Sequence, residues 1–91
     1  MTLQQIKCFL SAAETGSISE AAKRLYMAQS SVSSAIRELE KYCGVQLLER
    51  NAKGVILTGA GEELLSELLV IDKKMDFINN KYSTRNKSET F

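Results

Sequence analysis

The sequence predicts a mainly α-helical domain: three short helices, a small β-hairpin and one long final helix. Three observations carry this. Apolar residues recur at intervals of three and four in three successive runs separated by short breaks. Two strand-like runs, Leu47–Arg50 and Val55–Thr58, flank the turn-forming segment Asn51–Gly54. After them Leu64, Leu68, Ile71, Met75, Ile78 and Tyr82 follow in alternate steps of four and three, a heptad-like seam.

Thr2 and Gln5 form the capping-box pattern that starts a helix. Leu3, Ile6, Phe9, Leu10 and Ala13 give it one apolar stripe, and Gly16 offers a left-handed stop. Cys8 lies nearly opposite that stripe, so it is either exposed or covered by another element. Ser17 and Glu20 repeat the capping box, and Ile18, Ala21, Ala22 and Leu25 predict a second helix ending near Tyr26. Its alanines suit a close approach to a neighbour. The third helix spans about Gln29 to Cys43, with Val32, Ala35, Ile36, Leu39 and Cys43 on its apolar face and Gly44 at its end. Gln29, Ser30, Ser33, Ser34, Arg37 and Lys41 share the other side. Serine is a mediocre helix former because its hydroxyl competes for backbone hydrogen bonds, so four serines within Ser30–Ser34 call for a reason. Gly54 can take the positive φ of the hairpin turn, and Thr58 is a candidate N-cap for the last helix, with Glu62 and Glu63 near its positive end. The chain thus divides into a globular unit over 1–58, a long linker and dimerisation helix over 59–82, and a polar tail over 83–91 expected to be flexible.

Composition excludes more than it assigns. A chain of 91 residues is one small domain, and a formal net charge of +1 says nothing about partners. Histidine is absent, and Cys8 and Cys43 form no Cys-x-x-Cys pair, so no metal site is expected and both thiols read as small packed hydrophobes. No nucleophile–base pair is present. Glu62 and Glu63 are adjacent on a helix and point roughly 100° apart, so catalytic residues and cofactors are not expected. The Gly59–Gly61 run sits in no strand–loop–helix nucleotide unit and reads as a hairpin-to-helix junction. The N-terminus lacks the apolar stretch of a secretory signal, and no run is long enough to span a bilayer, which predicts a cytosolic protein without membrane contact.

Two helices joined by a short turn, a polar second helix and a following hairpin describe a winged helix-turn-helix. In that arrangement the second helix of the pair lies in the DNA major groove and its N-terminal part reads base edges. Small hydroxylated side chains let the backbone approach the groove floor and can donate to or accept from bases and phosphates. The charge distribution agrees. Residues 21–54 hold six basic and three acidic residues, net +3, whereas 55–78 hold two basic and five acidic residues, net −3. The positive part is the helix-turn-helix with its hairpin, and the negative part faces away from phosphates.

The run AAKRLYMAQSSVSSAIRELEKYCGVQLLERNAKGVILTGAG resembles the N-terminal DNA-binding domain of LysR-type transcriptional regulators. The matching positions include Phe9, Ala13–Glu14, Ser17, Ala21–Ala22 and Leu25. They continue through Gln29, Ser33, Ile36, Leu39–Glu40 and Gly44–Val45, then Leu47, Glu49–Arg50, Leu57–Thr58 and Ala60–Gly61. The likeness is close over 1–62 and continues over 63–82 as the family's linker helix. It implies that Gln29, Ser30, Ser33 and Ser34 face the major groove and that Lys53 sits in the wing tip near the minor groove. Ser31, Arg37 and Arg50 complete the candidate DNA-binding set. The chain departs from the family at Ala28, which lacks the usual capping side chain, so Gln29 or Ser30 would have to serve. It departs again at Ser30, where proline is common, at Ser34, where a larger polar or basic residue is common, and at Leu48, which replaces a phenylalanine.

Plainer readings stand beside these. A serine-rich face is by default a solvated face. Arg37 could belong to a surface charge network with Glu38, Glu40 and Lys41. Arg50 could pin the base of the hairpin, and Lys53 could be a solvated turn lysine. The seam Leu64, Leu68, Ile71, Met75 and Ile78 predicts a two-fold homodimer on an inverted-repeat operator, with the helices antiparallel as the resemblance implies; the alternatives are a helix packed wholly within its own chain, or a small interaction protein with no DNA role. The resemblance implies an effector ligand only where a C-terminal domain accompanies this one.

Overall fold

The computed structural model describes the backbone of residues 1–90 and the side chains of residues 1–82. Its elements are α1 (Leu3–Thr15), α2 (Ile18–Leu25), α3 (Gln29–Cys43), β1 (Leu48–Asn51), β2 (Gly54–Leu57) and α4 (Gly59–Thr90). The three short helices pack on one another, the hairpin rests on α1, and α4 leaves the body past α1 and β2. Its overhang makes the molecule 48 Å long on a section of 25 × 20 Å.

Local chemistry sets the helix ends. Thr2 and Gln5 make the reciprocal box: Thr2 Oγ1 accepts from the Gln5 N–H at 3.1 Å, and Gln5 Oε1 accepts from the Thr2 N–H at 3.0 Å. Ser17 Oγ accepts from the Glu20 N–H at 3.1 Å. Ala28, with no hydroxyl, makes no side-chain cap for α3, and neither Gln29 nor Ser30 replaces it. α2 ends without glycine. Tyr26 takes the left-handed conformation at φ 55°, its N–H reaches Lys23 O at 3.3 Å, and the Met27 N–H reaches Ala22 O at 2.9 Å. These two bonds satisfy the last carbonyls of α2 and turn the chain sharply into α3.

The hairpin is antiparallel, with Leu48 opposite Leu57 and Asn51 opposite Gly54. Strand β1 starts at Leu48, one residue after the expected Leu47, and both side chains are buried in the core. Gly54 has φ 142°, and a Cβ there would stand 2.1 Å from Gly16 O; the next N–H, of Val55, donates to that carbonyl at 3.0 Å. The wing is therefore fastened to the α1–α2 corner at a point where only glycine fits. Thr58 caps α4 as expected, accepting from the Gly61 N–H at 3.0 Å.

Phe9, Leu39, Leu47, Leu68, Val32 and Cys8 are the largest fully buried side chains. Several expectations need correction here. Leu68 does not stand on a free seam: it is 1% exposed in the chain's own core, and Leu64 packs partly buried against the same core. Both lie in the turns of α4 that still overlie the body. Leu3 is exposed, at the very start of α1 where nothing covers it. The two cysteines differ. Cys8 is buried with its sulfur 3.8 Å from Met27 Sδ, whereas Cys43, in the last turn of α3, is exposed. Burial raises the Cys8 thiol pKa by desolvating its thiolate. The helix α4 continues to Thr90, past the end of the heptad pattern at Tyr82, and no glycine or proline follows Gly61 to stop it. The polar tail expected over 83–91 lies outside the residues whose side chains are described.

Candidate nucleic-acid interface

The outward face of α3 is built by subtraction. Val32, Ile36 and Leu39 are drawn into the core, which rotates Gln29, Ser30, Ser34 and Arg37 to the exterior. Ser31 is exposed as well, close to the N-terminus of the helix. Ser33 is half-buried, at the edge where α3 meets the wing. There its Oγ accepts a hydrogen bond from Arg50 Nη2 at 3.2 Å. Arg50 thus ties β1 to α3 instead of bonding within the hairpin, and its side chain stays on the surface.

Between α3 and the hairpin lies a groove of about 310 Å³, bordered by Ser33, Arg37, Glu40, Gln46 and Arg50. Glu40 holds its inner end. Its Oε2 accepts from the Leu47 N–H at 2.7 Å and from the Leu48 N–H at 3.2 Å. These charge-assisted bonds fix the segment joining α3 to β1, and with it the angle at which the wing leaves the helix. Nothing in the sequence pattern singled out Glu40 for this role. The signal was a carboxylate one turn before a helix-ending glycine, with the next strand too close behind to satisfy its own first amides.

Gln46 contributes in the same way, donating from Nε2 to Leu48 O at 2.9 Å. At the wing tip Asn51 Oδ1 accepts from the Lys53 N–H at 2.9 Å, so the two-residue turn Ala52–Lys53 is held from below and the lysine side chain projects from it exposed.

The cations of residues 21–54 divide into two groups. Lys23 pairs with Glu20 at 3.5 Å, Arg24 with Glu14 at 3.1 Å and Lys41 with Glu38 at 3.9 Å. Arg37, Arg50 and Lys53 pair with no carboxylate among the described residues, although Glu38 and Glu49 are their chain neighbours. The charge network once open to Arg37 therefore forms without it, between Lys41 and Glu38. The result is an exposed, hydroxyl- and amide-rich helix face beside a wing, with cations uncommitted on both sides of the groove. Among the described residues no group of three or more histidine, cysteine or acidic side chains could hold a metal, and no helix is long and apolar enough to cross a membrane.

Comparison with known proteins agrees with this architecture. Residues 3–62 match the family model of bacterial regulatory helix-turn-helix proteins, lysR family. The HTH-type transcriptional regulator TfdS of Cupriavidus pinatubonensis is 43% identical over 67 residues, which cover 74% of this chain and 23% of TfdS. An uncharacterized HTH-type transcriptional regulator of Shigella flexneri, YfeR, is 38% identical over 79 residues, covering 87% of this chain and 25% of YfeR. The chain thus spans about a quarter of the length of these curated relatives. Among solved structures, the crystal structure of the CbnR DBD–DNA complex superposes with a TM-score of 0.81 at 33% identity, over 93% of this chain and 98% of that one. The BenM DBD/benA site 1 DNA complex gives 0.82 at 28% identity, over 92% and 98%.

Proposed function

Because the chain belongs to the LysR family of bacterial regulatory helix-turn-helix proteins, a family of transcriptional regulators and not of enzymes, we propose that it binds double-stranded DNA in a sequence-specific way as a homodimer. In this reading the N-terminal half of α3 enters the major groove. Gln29 and Ser33 meet base edges, with Ser30, Ser31 and Ser34 lining the approach. Arg37 and Arg50 meet phosphates on either side, and Lys53 lies beside the minor groove. The observation that carries the proposal is the separation of the cations: Lys23, Arg24 and Lys41 are neutralised in place, and Arg37, Arg50 and Lys53, which flank the exposed serines, are not. Cations left unpaired beside a polar helix face are what a polyanion would neutralise, releasing its counterions. The neighbours solved with DNA, CbnR DBD and BenM DBD, support DNA binding by this fold. A regulatory response to an effector belongs to the proposal only where a further domain accompanies this one.

The test is anisotropy titration of duplexes selected from a random pool, repeated with Ser33→Glu. The unmodified chain should enrich an inverted repeat, with affinity falling steeply as salt rises. Ser33→Glu, whose new carboxylate faces both Arg50 and the DNA, should abolish selection while leaving thermal unfolding nearly unchanged. Failure to enrich any duplex, or salt-independent binding, would overturn the proposal and favour a protein-interaction role for α4.

A further inference from the structure

Of the four serines at the start of α3, only Ser33 has the polarity of its hydrogen bonding set by the protein. Its Oγ accepts from Arg50 Nη2 at 3.2 Å, and its own O–H donates to no group among the described residues. A helical hydroxyl commonly turns its proton back to a carbonyl of the preceding turn. Thr15 does so toward Ser11 O at 2.7 Å and Ser66 toward Glu63 O at 2.9 Å. Ser33 does not. A free hydroxyl rotates to donate or accept as its partner requires. In Ser33 one lone pair is taken by a guanidinium, which carries only donors. Its positive charge disfavours a second N–H approaching the same oxygen. What Ser33 offers outward is its proton.

Arg50 is placed to hold this arrangement. Its backbone pairs with Val55 in the hairpin register, and the Val55 N–H donates to Gly16 O at 3.0 Å. The side chain therefore rises from the fastened part of the wing and not from its tip. The polar groups nearby are occupied elsewhere: Glu40 Oε2 by the Leu47 and Leu48 amides, Gln46 Nε2 by Leu48 O. No carboxylate among the described residues pairs with Arg50, so its charge stays whole and its other N–H groups are left for a phosphate.

The major-groove edges of the bases divide along the same line. Guanine and thymine present a keto oxygen where adenine and cytosine present an amino group. We propose that Ser33 and Arg50 form a donor-only pair that selects a keto-bearing base, guanine or thymine, over an amino-bearing one, with Arg50 the positioning residue that acts through Ser33. The proposal rests on the DNA-binding reading above and adds what one contact reads and what sets its polarity. The Ser33 proton and the charge beside it both suit O6 of guanine or O4 of thymine, and both oppose N6 of adenine and N4 of cytosine. Ser30, Ser31 and Ser34, which no cation holds, carry no such bias.

Titration of the selected operator, with each base pair replaced in turn by its transition, tests it. A transition exchanges keto for amino on the base that faces Ser33 and keeps its ring type. At one pair in each half-site the parent should bind about tenfold more weakly when keto becomes amino, and Ser33→Ala should erase that difference. Arg50→Ala should shrink it to about threefold or less, because the released hydroxyl can turn and accept from an amino group. Preferences at the other pairs should stay as they were. An Arg50 that only grips phosphate would lower affinity for every operator equally and leave the difference at full size, which overturns the proposal. A profile that Ser33→Ala does not alter, or a preference for the amino base, overturns it as well, with DNA binding left standing. A parent that selects no duplex overturns the DNA-binding reading together with this one.

Discussion

At the scale of single residues, the interface depends on which polar groups are already committed. Arg50 is partly spent on Ser33, and Lys53 is not spent at all beyond its backbone N–H. Lys53→Ala should therefore weaken specific and non-specific duplex binding alike, and the slope of log K against log salt should become shallower by about 0.9, the share of one phosphate. Titrations at several salt concentrations measure this, and an unchanged slope would place the lysine in solvent. Glycines show the same dependence on what stands nearby. Gly54→Ala forces a Cβ against Gly16 O in a backbone region closed to other residues, and should cost at least about 1–3 kcal/mol of unfolding free energy. Gly59, at the start of α4, meets nothing within 4 Å. Gly59→Ala should be neutral or slightly stabilising, by up to about 1 kcal/mol. Denaturant melts of the pair provide the contrast, and equal effects would contradict the wing's attachment to the α1–α2 corner.

At the scale of elements, the wing and α3 behave as one piece because Glu40 and Arg50 bridge them at opposite ends of the groove. Glu40→Ala leaves the Leu47 and Leu48 amides without their carboxylate. The loss should be about 1–3 kcal/mol in stability, with a larger fractional loss of DNA affinity than Lys53→Ala because the wing loses its fixed angle. Hydrogen exchange at Leu47 and Leu48 should rise in step, and unchanged protection there would assign the joint to packing alone. The turn between α2 and α3 uses the same economy of means. A tyrosine in the left-handed region closes α2 where glycine is usual, a cost of roughly 1–2 kcal/mol offset by two backbone hydrogen bonds and by the partly buried Met27 beside Cys8.

At the scale of the whole molecule, α4 is two different helices in one. Its first turns are held to the body by Leu68 in the core and by the Lys7–Asp72 pair at 3.7 Å. Val70, on the opposite side of these turns, and Phe77 and Ile78 beyond them face outward, an apolar surface that isolated soluble chains seldom leave uncovered. Ile78→Glu sets a charge in that surface without touching the core. It should give folded monomers with unchanged thermal midpoint at low concentration, and operator binding should fall by the contribution of the second half-site. Light scattering beside a binding titration reads both, and a dimeric Ile78→Glu chain would place the contact elsewhere.

Much of this was legible in the sequence because it is written in short-range chemistry. Capping side chains, glycines at helix ends and apolar spacing act within one or two turns, so they set the element order, the α3 register that exposes Gln29, Ser30, Ser34 and Arg37, and the Thr58 cap. What distance along the chain concealed was left to the tertiary structure. Whether Leu68 lines a core or a free seam depends on where α1 passes. Whether Arg50 reaches Ser33 depends on a contact across 17 positions. Cys43 sits on the periodic apolar face of α3 yet is exposed, in the last turn of the helix. Periodicity states which side chains share a face; only packing decides which of those faces another element reaches, since burial is a property of neighbours brought together from far along the chain.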